Sequence, residues 1–299
     1  FLSLVVKVRL PKRNATKPFN IAHRGGAQLW PENTLFAFVS AAKAGYDGAE
    51  LDVQMTRDEK LVVFHDFRLN RELCRAPDGR WVTRKGLVPL PLIRDSTFAE
   101  LRAFDVGRPK PGTLYAKRHK NLRAQDGEHM PSLAEVIAGV RAVKPDFQLF
   151  VEIKTSLKNP ALSAAPEAVA EATLAELRRT KFLANTVMVG FDWRGLIHAK
   201  RLEPTLRCWF STAPRARVSA ASIKQAGGDG WFCSLDRAKA RNVKEARALG
   251  LGYGVWTVNA ARDMRALVDL GVDAICTDRP DRLRTLLADY SPSNKAVER

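Results

Sequence analysis

The chain has 299 residues, of which 45% are hydrophobic and 27% charged, a composition that excludes a disordered polymer and allows a sizeable core. Its formal net charge of +17 predicts attraction to anionic surfaces and steering of anionic substrates, and says nothing about fold. No apolar run reaches the ~18 residues that a membrane span needs, so peripheral attraction to an anionic membrane is the most that the charge suggests. The basic residues are spread and rarely interleaved with aromatics, which argues against a dedicated nucleic-acid groove.

In chain order, FLSLVVKVRL is expected to belong to a leader over residues 1–18 outside the fold. It reads either as the remnant of an export signal or as a boundary, so both a cytoplasmic and an exported location stay open. FNIAHRG then reads as a strand, and NTLFAFVSAAKAG as a helix with apolar positions at helical spacing and Asn33 as its expected cap. GAELDVQ is a second strand, and LVVFH continues or pairs with it. Between residues 67 and 130 periodicity is lost. Residues 67–128 carry 14 Lys/Arg against seven Asp/Glu. A structureless loop of that length is rare in a compact domain, so this stretch is expected to be a small insertion with structure of its own, its histidines His119 and His129 on the surface.

Regular alternation then resumes. PSLAEVIAGVRAV is a helix with the capping-box pair Ser132 and Glu135. Six more strands, from FQLFVEIK to DAICT, alternate with helices, DRPDRLRTLLADY closes the regular structure, and residues 289–299 form a tail. Eight strand–helix units predict an α/β fold, a (β/α)8 TIM barrel over residues 19–288 with a small insertion after the second strand. The cysteines Cys74, Cys208, Cys233 and Cys276 lack metal-site spacing and are expected to be small buried hydrophobes.

In such a barrel, reactive side chains sit at the C-terminal ends of strands, and His23, Glu50, Asp52, His65, Glu152, Lys154, Trp256 and Asp278 all fall there. Glu50 and Asp52 are two apart and share one side of a strand. With Glu152 they offer three hard oxygen ligands, suited to one divalent cation, Mg2+ or Ca2+. The competing reading pairs these carboxylates with Arg24 and Lys154. Inward-facing carboxylates repel each other unless a cation lies between them, which favours a metal. His23 and His65 fit a general acid and base, with acid and base not assigned between them. Arg24 and Lys154 suit phosphate oxygens.

HRG, PENT, Glu50-x-Asp52, His65-Asp66, Glu152-x-Lys154, WTVN and TDRPD, in this order, resemble the glycerophosphodiester phosphodiesterase family over nearly the whole chain. The resemblance implies hydrolysis of a glycerophosphodiester to glycerol 3-phosphate and an alcohol. It also implies a metal held by Glu50, Asp52 and Glu152, catalysis by His23 and His65, and a substrate site including Arg24, Glu32, Lys154 and Trp256. The nucleophile, water or the substrate's own glycerol hydroxyl, stays open. Trp30, between HRG and PENT, is expected to pack in the core. The expected partner is a small phosphodiester, with no specific nucleic acid and a monomeric or homodimeric protein. The alternatives are a related phosphodiesterase acting on lysophospholipids or another phosphodiester, and a non-catalytic anion-binding barrel.

Overall fold

The structure is a computed structural model that describes residues 17–84 and 89–290; residues 1–16 of the expected leader and 291–299 of the tail lie outside the described residues. Its strands are β1 (Phe19–Ala22), β2 (Gly48–Met55), β3 (Leu61–Val63), β4 (Gln148–Ile153), β5 (Thr186–Gly190), β6 (Arg207–Thr212), β7 (Gly230–Ser234), β8 (Gly252–Trp256) and β9 (Ala274–Thr277). β1 pairs in parallel with both β2 and β9, which closes eight strands into a barrel with no free edge. β3 folds back antiparallel on the end of β2, Val53 opposite Val63, and stands outside the ring.

Helix α1 (Leu35–Lys43) follows β1. The short helices α2 (Phe98–Arg102) and α3 (Leu114–Arg118) lie in the insertion, and α4 (Leu133–Val143) then completes the second unit. The remaining units end in α5 (Pro166–Arg179), α6 (Trp193–Leu202), α7 (Ala220–Gln225), α8 (Ala240–Ala248), α9 (Ala261–Leu270) and α10 (Pro280–Ala288). α4 begins with the expected capping box: Ser132 accepts from the Glu135 amide while Glu135 accepts from the Ser132 amide. α1 departs from expectation. Its cap is Thr34, which accepts from the Ala37 amide, because Asn33 is turned into a left-handed conformation and committed elsewhere. None of the described helices is long and apolar enough to cross a membrane.

The two-residue period of the strands sorts their side chains into two layers. On β4, Leu149, Val151 and Ile153 pack against the helices, whereas Phe150 joins Ile21, Val187, Val189, Trp209 and Phe232 in the lumen. Trp30 packs against the outer layer, as expected, with its ring 6.4 Å from that of Tyr46. All four cysteines are buried and free.

Trp209 fills the lower lumen only because its neighbours are glycines. A Cβ on Gly252 would fall 2.4 Å from the indole and one on Gly230 2.5 Å from it. Gly252→Ala is therefore expected to cost about 1–3 kcal/mol through overpacking, read as a lower midpoint in urea unfolding. An unchanged midpoint would show that the indole can move aside.

The insertion has its own apolar cluster, in which Leu69, Cys74, Ile93, Leu101 and Val106 pack on Val62, Phe64 and Met130. It is tied to the segment between β1 and α1 and to the start of α1: the Arg123 amide donates to Leu29 O (2.8 Å), and Glu128 accepts from the Phe36 amide (3.1 Å). The insertion thus stands over the C-terminal rim of the barrel.

Candidate active site

β1 delivers His23 to the rim, and the chain then turns sharply through Arg24 at φ 50°, Gly25 at 86° and Gly26 at 102°. A Cβ on Gly25 would meet the Ala37 side chain at 2.7 Å, so the turn can press on α1 only with glycine there. Arg24 takes up a left-handed backbone that costs a non-glycine residue energy, a strain that clusters at functional sites. The register of β1 against β9, with Ala22 beside Thr277, places His23 next to Asp278. Asp278 Oδ1 lies 2.6 Å from His23 Nδ1, and its other oxygen accepts from Asn259 (2.7 Å). Burial opposes ionisation of Asp278, but His23 and Asn259 outweigh it and hold the carboxyl below its usual range. An ionised carboxylate only accepts, so Nδ1 carries the proton that it donates and Nε2 is turned inward, 3.8 Å from Glu50.

His65 is held in the same way. Its Nδ1 is 2.8 Å from Asp66 Oδ1, and Asn70 donates to the other Asp66 oxygen at 2.6 Å. Gln54 fixes the loop by donating to the carbonyls of Phe64 (2.7 Å) and Asp66 (2.9 Å). Despite burial, these bonds keep Asp66 below the ordinary carboxylate range.

Glu50 and Asp52 project from β2, and the register of β2 and β4 sets Glu152 directly beside Asp52. All three are buried, at 1%, 1% and 7% exposure, and each offers an oxygen within 4.8 Å of the others. Asp52 accepts from Asn33 (2.9 Å) and lies 3.1 Å from Lys154 Nζ, which also donates to Glu152 (2.7 Å). Asp52 is held far below its usual range: burial opposes this, while Lys154, His65 and Arg24 outweigh it. Lys154 is raised, its burial outweighed by Asp52 and Glu152. Ion pairing thus accounts for Asp52 and Glu152.

Glu50 is different. Its Oε2 accepts from the Arg24 backbone amide (3.1 Å), but burial, followed by repulsion from Asp52 and Glu152, pushes its pKa well above the ordinary value. A buried carboxylate in this position ionises readily only when another cation joins the group. Three carboxylates so close together could hold a metal ion, and their hard oxygen donors are of the kind that divalent cations take.

Arg24 donates to Glu32 Oε1 (2.8 Å), and its Nε, buried without a hydrogen-bond partner, lies 3.3 Å from Asp52. A cleft of about 250 Å³ opens beside His23, Arg24, Glu32 and Asp278, walled by Leu114, Tyr115, Arg118 and His119 from the insertion. His119 is therefore a half-buried wall residue stacked on Tyr115, with ring centroids 3.9 Å apart, where the sequence predicted a surface residue. His129 is exposed as expected. Trp256 ends β8 at the rim, but packs edge-on against Phe191 (5.3 Å) and donates to Phe232 O (3.2 Å); it does not border this cleft.

The sequence placed Asp278 at the rim and Asp66 beside His65 but gave neither its role of orienting a histidine, and it assigned no site role to the amides that fix these carboxylates and Asp52: Asn259, Asn70 and Asn33. The adjacent His-Asp pair and the Asp after β9 carried a signal, since a strand-end carboxylate beside a histidine fixes its tautomer. Tyr115 carried none, lying in a segment without periodicity.

A closed parallel barrel with acids, imidazoles and cations gathered on its C-terminal rim defines an enzyme of the (β/α)8 class. The chain belongs to the glycerophosphoryl diester phosphodiesterase family, whose family model matches residues 23–282. It is 28% identical over 282 residues to a glycerophosphodiester phosphodiesterase of Caldanaerobacter subterraneus, covering 91% of this chain and 98% of that relative. A solved structure from Silicibacter pomeroyi, assigned as a glycerophosphoryl diester phosphodiesterase, is 33% identical with a TM-score of 0.85, covering 92% of this chain and 95% of that one. An Oleispira antarctica phosphodiesterase, solved with its product sn-glycerol-3-phosphate, shares the fold at 22% identity and a TM-score of 0.71, covering 91% and 97% of the two chains.

Proposed function

We propose that this protein hydrolyses glycerophosphodiesters to glycerol 3-phosphate and an alcohol with the help of one divalent cation. The observation that carries the reading is two histidines, each held through Nδ1 by its own carboxylate, gathered with a buried three-carboxylate group. Mere anion binding needs neither a paired acid and base nor a carboxylate cage. The relative solved with sn-glycerol-3-phosphate supports the choice of product.

Glu50, Asp52 and Glu152 would hold Mg2+ or Ca2+, which supplies Lewis-acid polarisation of the phosphoryl oxygens when bound. Arg24 and Lys154 engage the phosphate, Arg24 through its planar guanidinium and Lys154 as a point charge. Glu32 borders the substrate in the cleft beside His23. One imidazole takes the proton of the attacking hydroxyl, from water or from the glycerol group, and the other gives a proton to the departing oxygen. With Nδ1 bonded to Asp278 or Asp66, Nε2 is the atom that each ring presents for this transfer.

Asp278→Asn should keep the hydrogen-bonding shape but admit the wrong His23 tautomer. It is expected to lower kcat by about 10²–10⁴-fold with little change in KM, measured by steady-state kinetics. The reading as a whole is tested by a panel of glycerophosphodiesters and lysophospholipids with either cation. Release of glycerol 3-phosphate from glycerophosphocholine supports it, and exclusive turnover of lysophospholipids contradicts the substrate assignment.

A further inference from the structure

We propose that Tyr115, supplied by the insertion, is a positioning residue that holds Arg24 in place through Glu32. The inference rests on the reading of Arg24 as a phosphate ligand. The Tyr115 hydroxyl donates to Glu32 Oε2 at 2.5 Å, and Arg24 donates to Glu32 Oε1 at 2.8 Å, so one carboxylate bridges the insertion and the arginine. A hydroxyl that donates to a carboxylate makes a charge-assisted bond, stronger than one between neutral groups. Burial and then the Glu32 charge raise the Tyr115 hydroxyl well above its usual pKa, which keeps it protonated and donating.

The arginine needs such a clamp. Its backbone is left-handed, and its Nε lies 3.3 Å from Asp52, toward which the guanidinium is drawn. Glu32 pulls from the other side, and Tyr115 fixes Glu32. α3 is itself anchored, since Thr113 caps it by accepting from the Ala116 amide and the Arg123 amide reaches Leu29 O (2.8 Å). The division of labour within Tyr115 is clear: its ring stacks on His119 and its hydroxyl makes the bridge. The insertion thereby completes the site of the barrel, and the cleft wall formed by Leu114, Tyr115 and Arg118 is coupled mechanically to phosphate binding.

Tyr115→Phe separates the two roles, because it keeps the ring and removes the bridge. Calorimetric binding of glycerol 3-phosphate and steady-state kinetics with glycerophosphocholine are measured for the wild type, Tyr115→Phe, Glu32→Gln and the double variant. The expected result is about tenfold weaker product binding and a similar loss of kcat/KM in Tyr115→Phe, with the melting temperature nearly unchanged. The double variant should be no worse than Glu32→Gln alone, because the hydroxyl acts through that carboxylate. Wild-type affinity in Tyr115→Phe, or losses that multiply in the double variant, would overturn the proposal. Binding reads the clamp without turnover, so a wild-type protein that binds glycerol 3-phosphate but hydrolyses nothing contradicts the proposed function and leaves the clamp supported or refuted by the binding data.

Discussion

His23→Ala is expected to lower kcat on a glycerophosphodiester by about 10²–10⁴-fold, the usual contribution of a positioned acid or base. The fold should survive, since His23 is half-buried at the rim and its ring is not part of the lumen cluster. The loss should fall mainly on kcat, because Arg24 and Lys154 remain to engage the phosphate. His65→Ala should behave alike. If the two rings act on one proton-transfer cycle, the double variant should be little worse than either single one. Undiminished kcat in both single variants, with circular dichroism unchanged, would remove the histidines from the mechanism.

Glu50→Gln carries the second large effect, and it has two sides. Turnover should fall by at least about a thousandfold, since several kcal/mol of charge stabilisation are lost if the cation cannot be held. Stability of the metal-free protein should move the other way. Glu50 has a folded-state pKa raised by burial and by Asp52 and Glu152. Such a group contributes stability that is fully present below its unfolded pKa and is lost as pH rises through the folded value. Asp52, whose pKa is lowered, has the opposite sign: its contribution is present above the unfolded value and is lost as pH falls through the folded one. At neutral pH the neutral amide should therefore make the metal-free variant at least as stable as the wild type. Added Mg2+ or Ca2+ should raise the melting temperature of the wild type alone. A cation-induced shift as large in Glu50→Gln as in the wild type would place the ion elsewhere.

The barrel was legible because its signals are local. Strand-then-helix units repeat eight times along the chain, and a helix such as α4 marks its start with the pair Ser132 and Glu135. Even the irregular second unit could be read, since LVVFH follows its strand closely enough to fold back on it. The charged triad was legible too, because a two-residue step on one strand fixes Glu50 and Asp52 to one side. What stayed hidden depends on contacts between distant segments. Asn33 reads as a helix cap by its neighbours, yet it binds Asp52, 19 residues away, and leaves the cap to Thr34. His119 looks like a surface residue in a basic, aperiodic stretch, until the insertion folds over the rim and turns it into a cleft wall. Tyr115 meets Glu32 across 83 residues, a separation that no periodicity reports.

Chelation followed by metal return tests the central claim most directly. Glycerol 3-phosphate release from glycerophosphocholine is measured on purified protein, then after exhaustive treatment with a chelator, and again after adding Mg2+ or Ca2+. Turnover should disappear with the chelator and return with at least one of the two cations. Hydrolysis that continues unchanged in the chelated protein, with the cation verified as removed, would contradict the account.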